Sequence, residues 1–438
     1  MASSLPDAFA MTAPYDHAIY LPAVQPSYAA VRDLNPDRSR PLPAGFAIED
    51  LEFWSGTSKL WNHKFLLHSI GTYKVGADPR GQLFSRGTGT FTVVGDSGGY
   101  QIGMGTFAGF NGLRSGMSGD HAVAAWKENY DGKRWLIRLL DHYCDYAMTI
   151  DMPLWAATSL GTNSPFHGCS ETQLLAMTND NLRLIEEEMD GRAKWLNVIT
   201  GTNPQDIVRW WDSVKWFRHG GWALAGTAGW RGGLASILST VLMMRDENAF
   251  ELGQDWMHVL GVSRPVWDVL LTAIQREIRK LNPAFQISFD SASAFRQGGV
   301  NDEYALPPKL GADLKDWSIR YDKLLGLQKY ADPAGNLPFP VSSPLGDQLM
   351  LHHLVVDGSD LSGRRIDTLT NMMLINHSLW VYLDAGRRAN VSAFVAKVRH
   401  LPSQLAAAID VIEAAFAAEN WTGVIETERA VLDAIAKG

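Results

Sequence analysis

Cysteine is almost missing from this chain. Only Cys144 and Cys169 occur in 438 residues, which excludes a disulfide framework and any centre built on three or four thiolates. Long apolar runs are missing too. The most apolar stretch, Gly232 to Met244, is broken by Ser236, Ser239 and Thr240 and falls short of the roughly 18 residues of a membrane span. The first 45 residues show no basic start followed by an apolar block, so the expectation is a cytoplasmic protein with no membrane partner. Positive charge is in deficit: 39 Lys and Arg face 47 Asp and Glu, a net −8. That excludes a globally basic nucleic-acid coat but leaves room for a local basic groove.

What is present is an ordinary globular composition, 46% hydrophobic and 20% charged, which excludes a disordered or low-complexity chain. Sixteen tryptophans imply large buried or stacking surfaces. Residues 1–45, rich in Pro, Ala and Asp, read as an arm lying over the surface. From 46 to 400 short β-branched or aromatic runs alternate with helical stretches. The runs are Phe91–Val94, Tyr146–Ile150, Trp195–Ile199, Trp222–Leu224 and Phe285–Phe289. The helical stretches include 171–188, 204–218 and 265–280, the last with Pro near its start and apolar residues at helical spacing. Repeated strand–helix alternation at this length predicts an α/β fold, a (β/α)8 TIM barrel, with an N-terminal arm and a C-terminal helical extension over 401–438.

The residues that follow each strand carry the chemistry. Val94 leads to Gly95 and Asp96, Ile150 to Asp151, and Phe289 to Asp290, while Ile199 and Leu224 lead to Thr200-Gly201 and Ala225-Gly226-Thr227. In a parallel barrel all these ends meet on one face. A single aspartate there reads as a cap for the next helix or turn. Three carboxylates at one mouth repel each other and resist ionisation, so three together, flanked by glycine, point to function. The segment GDSGG also invites a trypsin-like serine reading. That chemistry needs a histidine base and a second aspartate in reach; the sequence lacks the histidine context of the trypsin-like proteases, its pattern is not all-β, and Tyr100 stands where they carry Pro.

Extended by two residues, DSGGYQ (96–101) resembles the DSGG(F/Y)Q motif of the tRNA-guanine transglycosylases, (β/α)8 enzymes that exchange guanine for a 7-deazaguanine. The resemblance continues in order through TIDMP (149–153), VITG (198–201), GGWALAG (220–226), HVLGVSRP (258–265), SFDSASAF (288–295) and LINHSLWVY (374–382). It implies catalytic roles for Asp290 as nucleophile and Asp96 as proton handler. It implies base recognition by Asp151, further base contacts by Ser97 and Gln101, stacking by Tyr100, an opposite apolar wall at Leu260, and a wall toward the 7-substituent at Thr200, Gly226 and Thr227.

The departures are as informative. The family's zinc cysteines are absent and His377 stands without them, so no metal and no cofactor are expected. The only metal alternative is a Cys2His2 set of His142, Cys144, His167 and Cys169. The tRNA-gripping segment after the nucleophile is replaced by one carrying Arg296. These features resemble the DpdA branch, which inserts 7-deazaguanines such as preQ0 into DNA. The implied partners are DNA (alternatively tRNA, for a zinc-free tRNA enzyme), a free 7-deazaguanine base such as preQ0, and a second copy of the chain as a homo-oligomer. A non-catalytic binding subunit is the third reading. A positive stretch holding Arg364, Arg365, Arg387 and Arg388 suits phosphate contact. Trp54, Trp61 and Phe295 are candidates to fill the gap left by a flipped base.

Overall fold

A computed structural model describes residues 16–35, 41–77, 91–158, 161–227, 229–251, 253–324, 337–354, 366–396 and 401–437. Eight parallel strands close a TIM barrel in chain order: β1 (Ile19–Val24), β2 (Phe65–Ser69), β3 (Thr92–Asp96), β4 (Tyr146–Met148), β5 (Lys194–Ile199), β6 (Gly221–Leu224), β7 (Trp256–Val259) and β8 (Gln286–Ser291). Closure comes from β1 pairing with β8.

This corrects the reading of residues 1–45 as a surface arm, because Ile19–Val24 is the first staple of the barrel. Its side chains are buried on both faces, so it lacks polar alternation, and Pro22 reads as a strand breaker. β2 and β7 likewise lie outside the expected strand runs.

A four-residue helix, α1 (Pro26–Ala29), follows β1, and from β3 onward helices return outside the barrel. They are α2 (Gly99–Met104), α3 (Gly119–Glu128), α4 (Tyr130–Tyr143), α5 (Glu171–Glu188), α6 (Pro204–Val214), α7 (Gly233–Asp246), α8 (Pro265–Ile278) and α9 (Ser293–Val300). Their starts follow local chemistry. Ser170 and Gln173 form a reciprocal capping box at α5. Asn203 caps α6 ahead of Pro204, and Pro265 opens α8. The long α10 (Thr368–Asn390) packs on α8 and α9. The expected C-terminal helices are α11 (Ser403–Ala417), α12 (Trp421–Thr427) and α13 (Arg429–Lys437), with α11 against α8 and α13 against α7. Between α9 and α10 a small antiparallel pair, β9 (Glu303–Leu306) and β10 (Arg320–Lys323), lies outside the barrel.

The barrel interior is layered. Phe65, Tyr146 and Trp256 plug the end where the strands begin, with the Tyr146 and Trp256 rings 4.2 Å apart. Ile19, Leu21, Leu67, Val94, Met148, Leu196, Val198 and Ala223 fill the middle. Burial of this kind contributes about 25 cal/mol per Å² of apolar surface. Polar side chains are left for the far end. Among the described residues no helix is long and apolar enough to cross a membrane.

Candidate active site

Every expected site residue from β3 to β8 stands at the carboxyl ends of the strands. Asp96 closes β3, Asp151 follows β4, Thr200 follows β5, Gly226 and Thr227 follow β6, Leu260 follows β7, and Asp290 is the last residue but one of β8. Alternation along a strand sends Asp96 to the same side as the interior Val94, and Asp290 to the same side as Ser288.

The three carboxyls interact. Burial raises the Asp96 pKa above the usual aspartate range; the Gly98 N–H opposes that rise, and the Asp290 charge adds to it. Gly98 donates to Asp96 Oδ1 at 3.0 Å. Burial likewise pushes Asp151 up to about 7, with the Asp96 charge contributing. Asp96 is thus the electrostatic link between Asp151 and Asp290. Gly99 lets Asp151 come close: a Cβ built on Gly99 would lie 2.7 Å from Asp151 Oδ1.

Asp290 Oδ1 accepts from the Gly261 N–H at 2.9 Å and is 3.2 Å from His258 Nε2. No donor reaches its other oxygen among the described residues.

Gln101 is half-buried beside Gly71, and its Oε1 is buried with no hydrogen-bond partner among the described residues. An orphaned buried acceptor is costly unless a ligand satisfies it. Tyr100 is 62% exposed and leans on Trp155, with ring centroids 5.7 Å apart, so one ring face stands open at the mouth. Trp155 carries no distinctive sequence motif and was not anticipated. Thr200 is buried against Gly226, whose Cβ would meet Thr200 Oγ1 at 2.9 Å. Leu260 is half-buried and continues the interior apolar cluster toward the mouth.

Some expected roles change. The Ser97 hydroxyl donates to the Thr149 carbonyl at 3.0 Å, tying β3 to β4, so its one hydrogen is not offered to a base. The Thr227 backbone is likewise engaged, its N–H by Gly201 and its carbonyl by Ser236, which leaves only its side chain for a wall. Trp54, Trp61 and Phe295 are buried in the core, so none is a free wedge. They carry aromatic patterning that sequence cannot separate from surface stacking. Among the described residues the most exposed tryptophan, Trp216, lies between α6 and β6, at the opposite end of the barrel.

The basic residues divide. Arg296 is exposed on α9, just beyond Asp290. Arg387 lines a cavity of about 850 Å³ with Asp16 and His17 ahead of β1 and Lys64 ahead of β2, at the end remote from the carboxylates. Arg387 and Arg388 also pair with Asp384. They are therefore corrected from nucleic-acid contacts at the site to groups at the opposite end of α10. Arg364 and Arg365 lie outside the described residues. Near the site instead is a cleft of about 400 Å³ bounded by Arg231, Gly261, Ser263 and Arg264.

The Cys2His2 alternative fails on topology. Cys144 precedes β4 and Cys169 follows it, at opposite ends of the barrel. His142 bonds Arg192, and His167 bonds the Thr158 carbonyl. Among the described residues no group of three or more His, Cys, Asp or Glu is arranged to hold a metal ion. His377 has both ring nitrogens occupied, by Ser343 and the Ala305 carbonyl.

No protein-family model matches the chain, and a search of curated proteins finds no match either.

Proposed function

We propose that this protein is a base-exchange transglycosylase that replaces guanine in DNA by a 7-deazaguanine base of the preQ0 type through a covalent aspartyl–sugar intermediate. The observation that carries the reading is the placement of Asp96, Asp151 and Asp290 at the carboxyl ends of β3, β4 and β8, on one mouth of the barrel.

Each carboxyl suits a different task. The free oxygen of Asp290 attacks C1′ of the target nucleotide. The C1′–N9 bond breaks, its electron pair leaves on the base, and the carboxylic acid of Asp96, favoured by burial, supplies the proton. The incoming base returns its N9 proton to Asp96, attacks C1′ and releases the Asp290 carboxylate. Ionised Asp151 accepts from N1–H and the exocyclic amine of a guanine-like edge. Gln101 Oε1 offers a further acceptor, and Tyr100 gives a stacking face.

The test is nucleoside analysis of DNA and of RNA from cells that express the chain and receive preQ0. A 7-deazaguanine nucleoside in DNA supports the reading. Label in tRNA alone replaces the polymer assignment, and label in neither, from folded protein, rejects the activity.

A further inference from the structure

Below the proposed nucleophile runs a buried chain of hydrogen bonds. Trp256 Nε1 is 2.8 Å from Ser288 Oγ, Ser288 Oγ is 2.9 Å from His258 Nδ1, and His258 Nε2 is 3.2 Å from Asp290 Oδ1. His258 and Ser288 have no exposed surface. Buried polar groups of this kind must be satisfied in full or they weaken the fold.

The donor inventory fixes the protons. An indole N–H only donates, so Ser288 Oγ accepts from Trp256. Asp290 Oδ1 only accepts, so His258 Nε2 carries a hydrogen; in the neutral ring Nδ1 is then the acceptor, and the Ser288 hydroxyl gives it its single hydrogen. A neutral imidazole with an acceptor at Nδ1 holds its hydrogen on Nε2, facing the carboxylate. The other tautomer would set a ring lone pair against a carboxylate oxygen. Together with the Gly261 N–H at 2.9 Å, His258 places both donors on the same oxygen, Oδ1.

We propose that His258, set by Ser288 and Trp256, is the positioning residue of Asp290: it holds Oδ1 and so selects Oδ2 as the atom that bonds to C1′. In the sugar ester Oδ1 becomes the carbonyl oxygen and keeps both donors, which stabilises the carboxylate as it leaves in the second half of the exchange. The role in base exchange rests on the proposed function; the hydrogen-bonded chain is tested apart from it.

Two measurements decide it. The first is base exchange on the polymer found to be labelled. His258→Leu is expected to lower kcat by about 100-fold with KM for the free base within about threefold, because the base contacts are untouched. His258→Gln, whose amide can donate from nearly the Nε2 position, is expected within about tenfold of the parent chain. A folded Leu variant with parental kcat, or a Gln variant no better than Leu at equal Tm, overturns the positioning role. The second is nitrogen NMR of imidazole-labelled protein, assigned through His258→Gln. An Nε2–H tautomer in the parent whose Nδ1 resonance shifts in Ser288→Ala, as that nitrogen loses its donor, supports the chain, and an Nδ1–H tautomer in the parent overturns it whatever the activity. If the parent chain exchanges no base on any polymer, the transglycosylase reading falls, while the nitrogen spectra still judge the assignment.

Discussion

Gly99 and Asp151 stand so close that a single added methyl would separate them. The built Cβ of Gly99 lies 2.7 Å from Asp151 Oδ1, tighter than real Cβ contacts allow, and Asp151 is buried. Gly99→Ala is therefore expected to push the carboxylate aside and weaken binding of guanine or preQ0 by at least about tenfold, the worth of roughly one good hydrogen bond. Calorimetry of the folded variant checks this, and unchanged affinity would detach Asp151 from base recognition.

Base affinity should depend on pH with a defined sign. Burial raises Asp151 to about 7, and only the ionised form accepts two hydrogen bonds from the base. Affinity is expected to rise as pH climbs through about 7 and to level off above it, with protons released on binding. Titration in buffers of different ionisation enthalpy reads that release. A flat profile from pH 5.5 to 8.5 would contradict the assignment. Asp151→Asn should bind about 100-fold more weakly at pH 8, having lost one acceptor and gained a misplaced donor.

The two aspartates proposed as catalytic should separate kinetically. Asp290→Ala is expected to abolish exchange, a loss on the order of 10⁴-fold or more, and to yield no protein–nucleic acid adduct on denaturing gels. Asp96→Asn should lose about 10²–10⁴-fold in kcat and, with the proton donor gone, flatten the pH dependence of the chemical step. Equal adduct from the Asp290 variant would refute the covalent route.

Stability should fall as pH rises from the usual aspartate range toward neutrality. Burial also raises Asp268 to about 7, where it bridges α8 to Asn390 of α10 at 2.7 Å. A carboxyl whose folded pKa is raised stabilises fully below its unfolded pKa, near 4, and loses that contribution as pH passes through about 7. The swing is on the order of 4 kcal/mol for each such group. Asp268→Asn keeps an acceptor for Asn390 and is expected to raise Tm at pH 8 by a few degrees while shrinking the drop between pH 5 and 8. Thermal melts across that range check it.

The α/β barrel was legible in the sequence because strand runs such as Phe91–Val94 and Phe285–Phe289 alternate with long amphipathic helices, and 171–188 matched an observed helix residue for residue. The carboxylates were legible because each ends such a run. Ile19–Val24 was not, since a strand buried on both faces and interrupted by Pro22 has neither alternation nor clean propensity. His258 and Ser288 were hidden because their meaning depends on β7 and β8 being neighbours, a register that short motifs do not carry. Arg387 and Arg388 misled for the opposite reason. A basic cluster looks alike at either end of a helix, and only the direction of α10 sends it away from the mouth.

The seam between β1 and β8 sets Leu21 opposite Asp290, and Tyr20 Oη reaches the Ser291 carbonyl across 271 positions of chain. Among the described residues this closure is the most distant strand pairing of the barrel, and such non-local pairings slow folding. A chain cut before β8 therefore lacks Asp290 and leaves β1 without its closing partner, so it holds neither the third carboxyl nor a closed barrel.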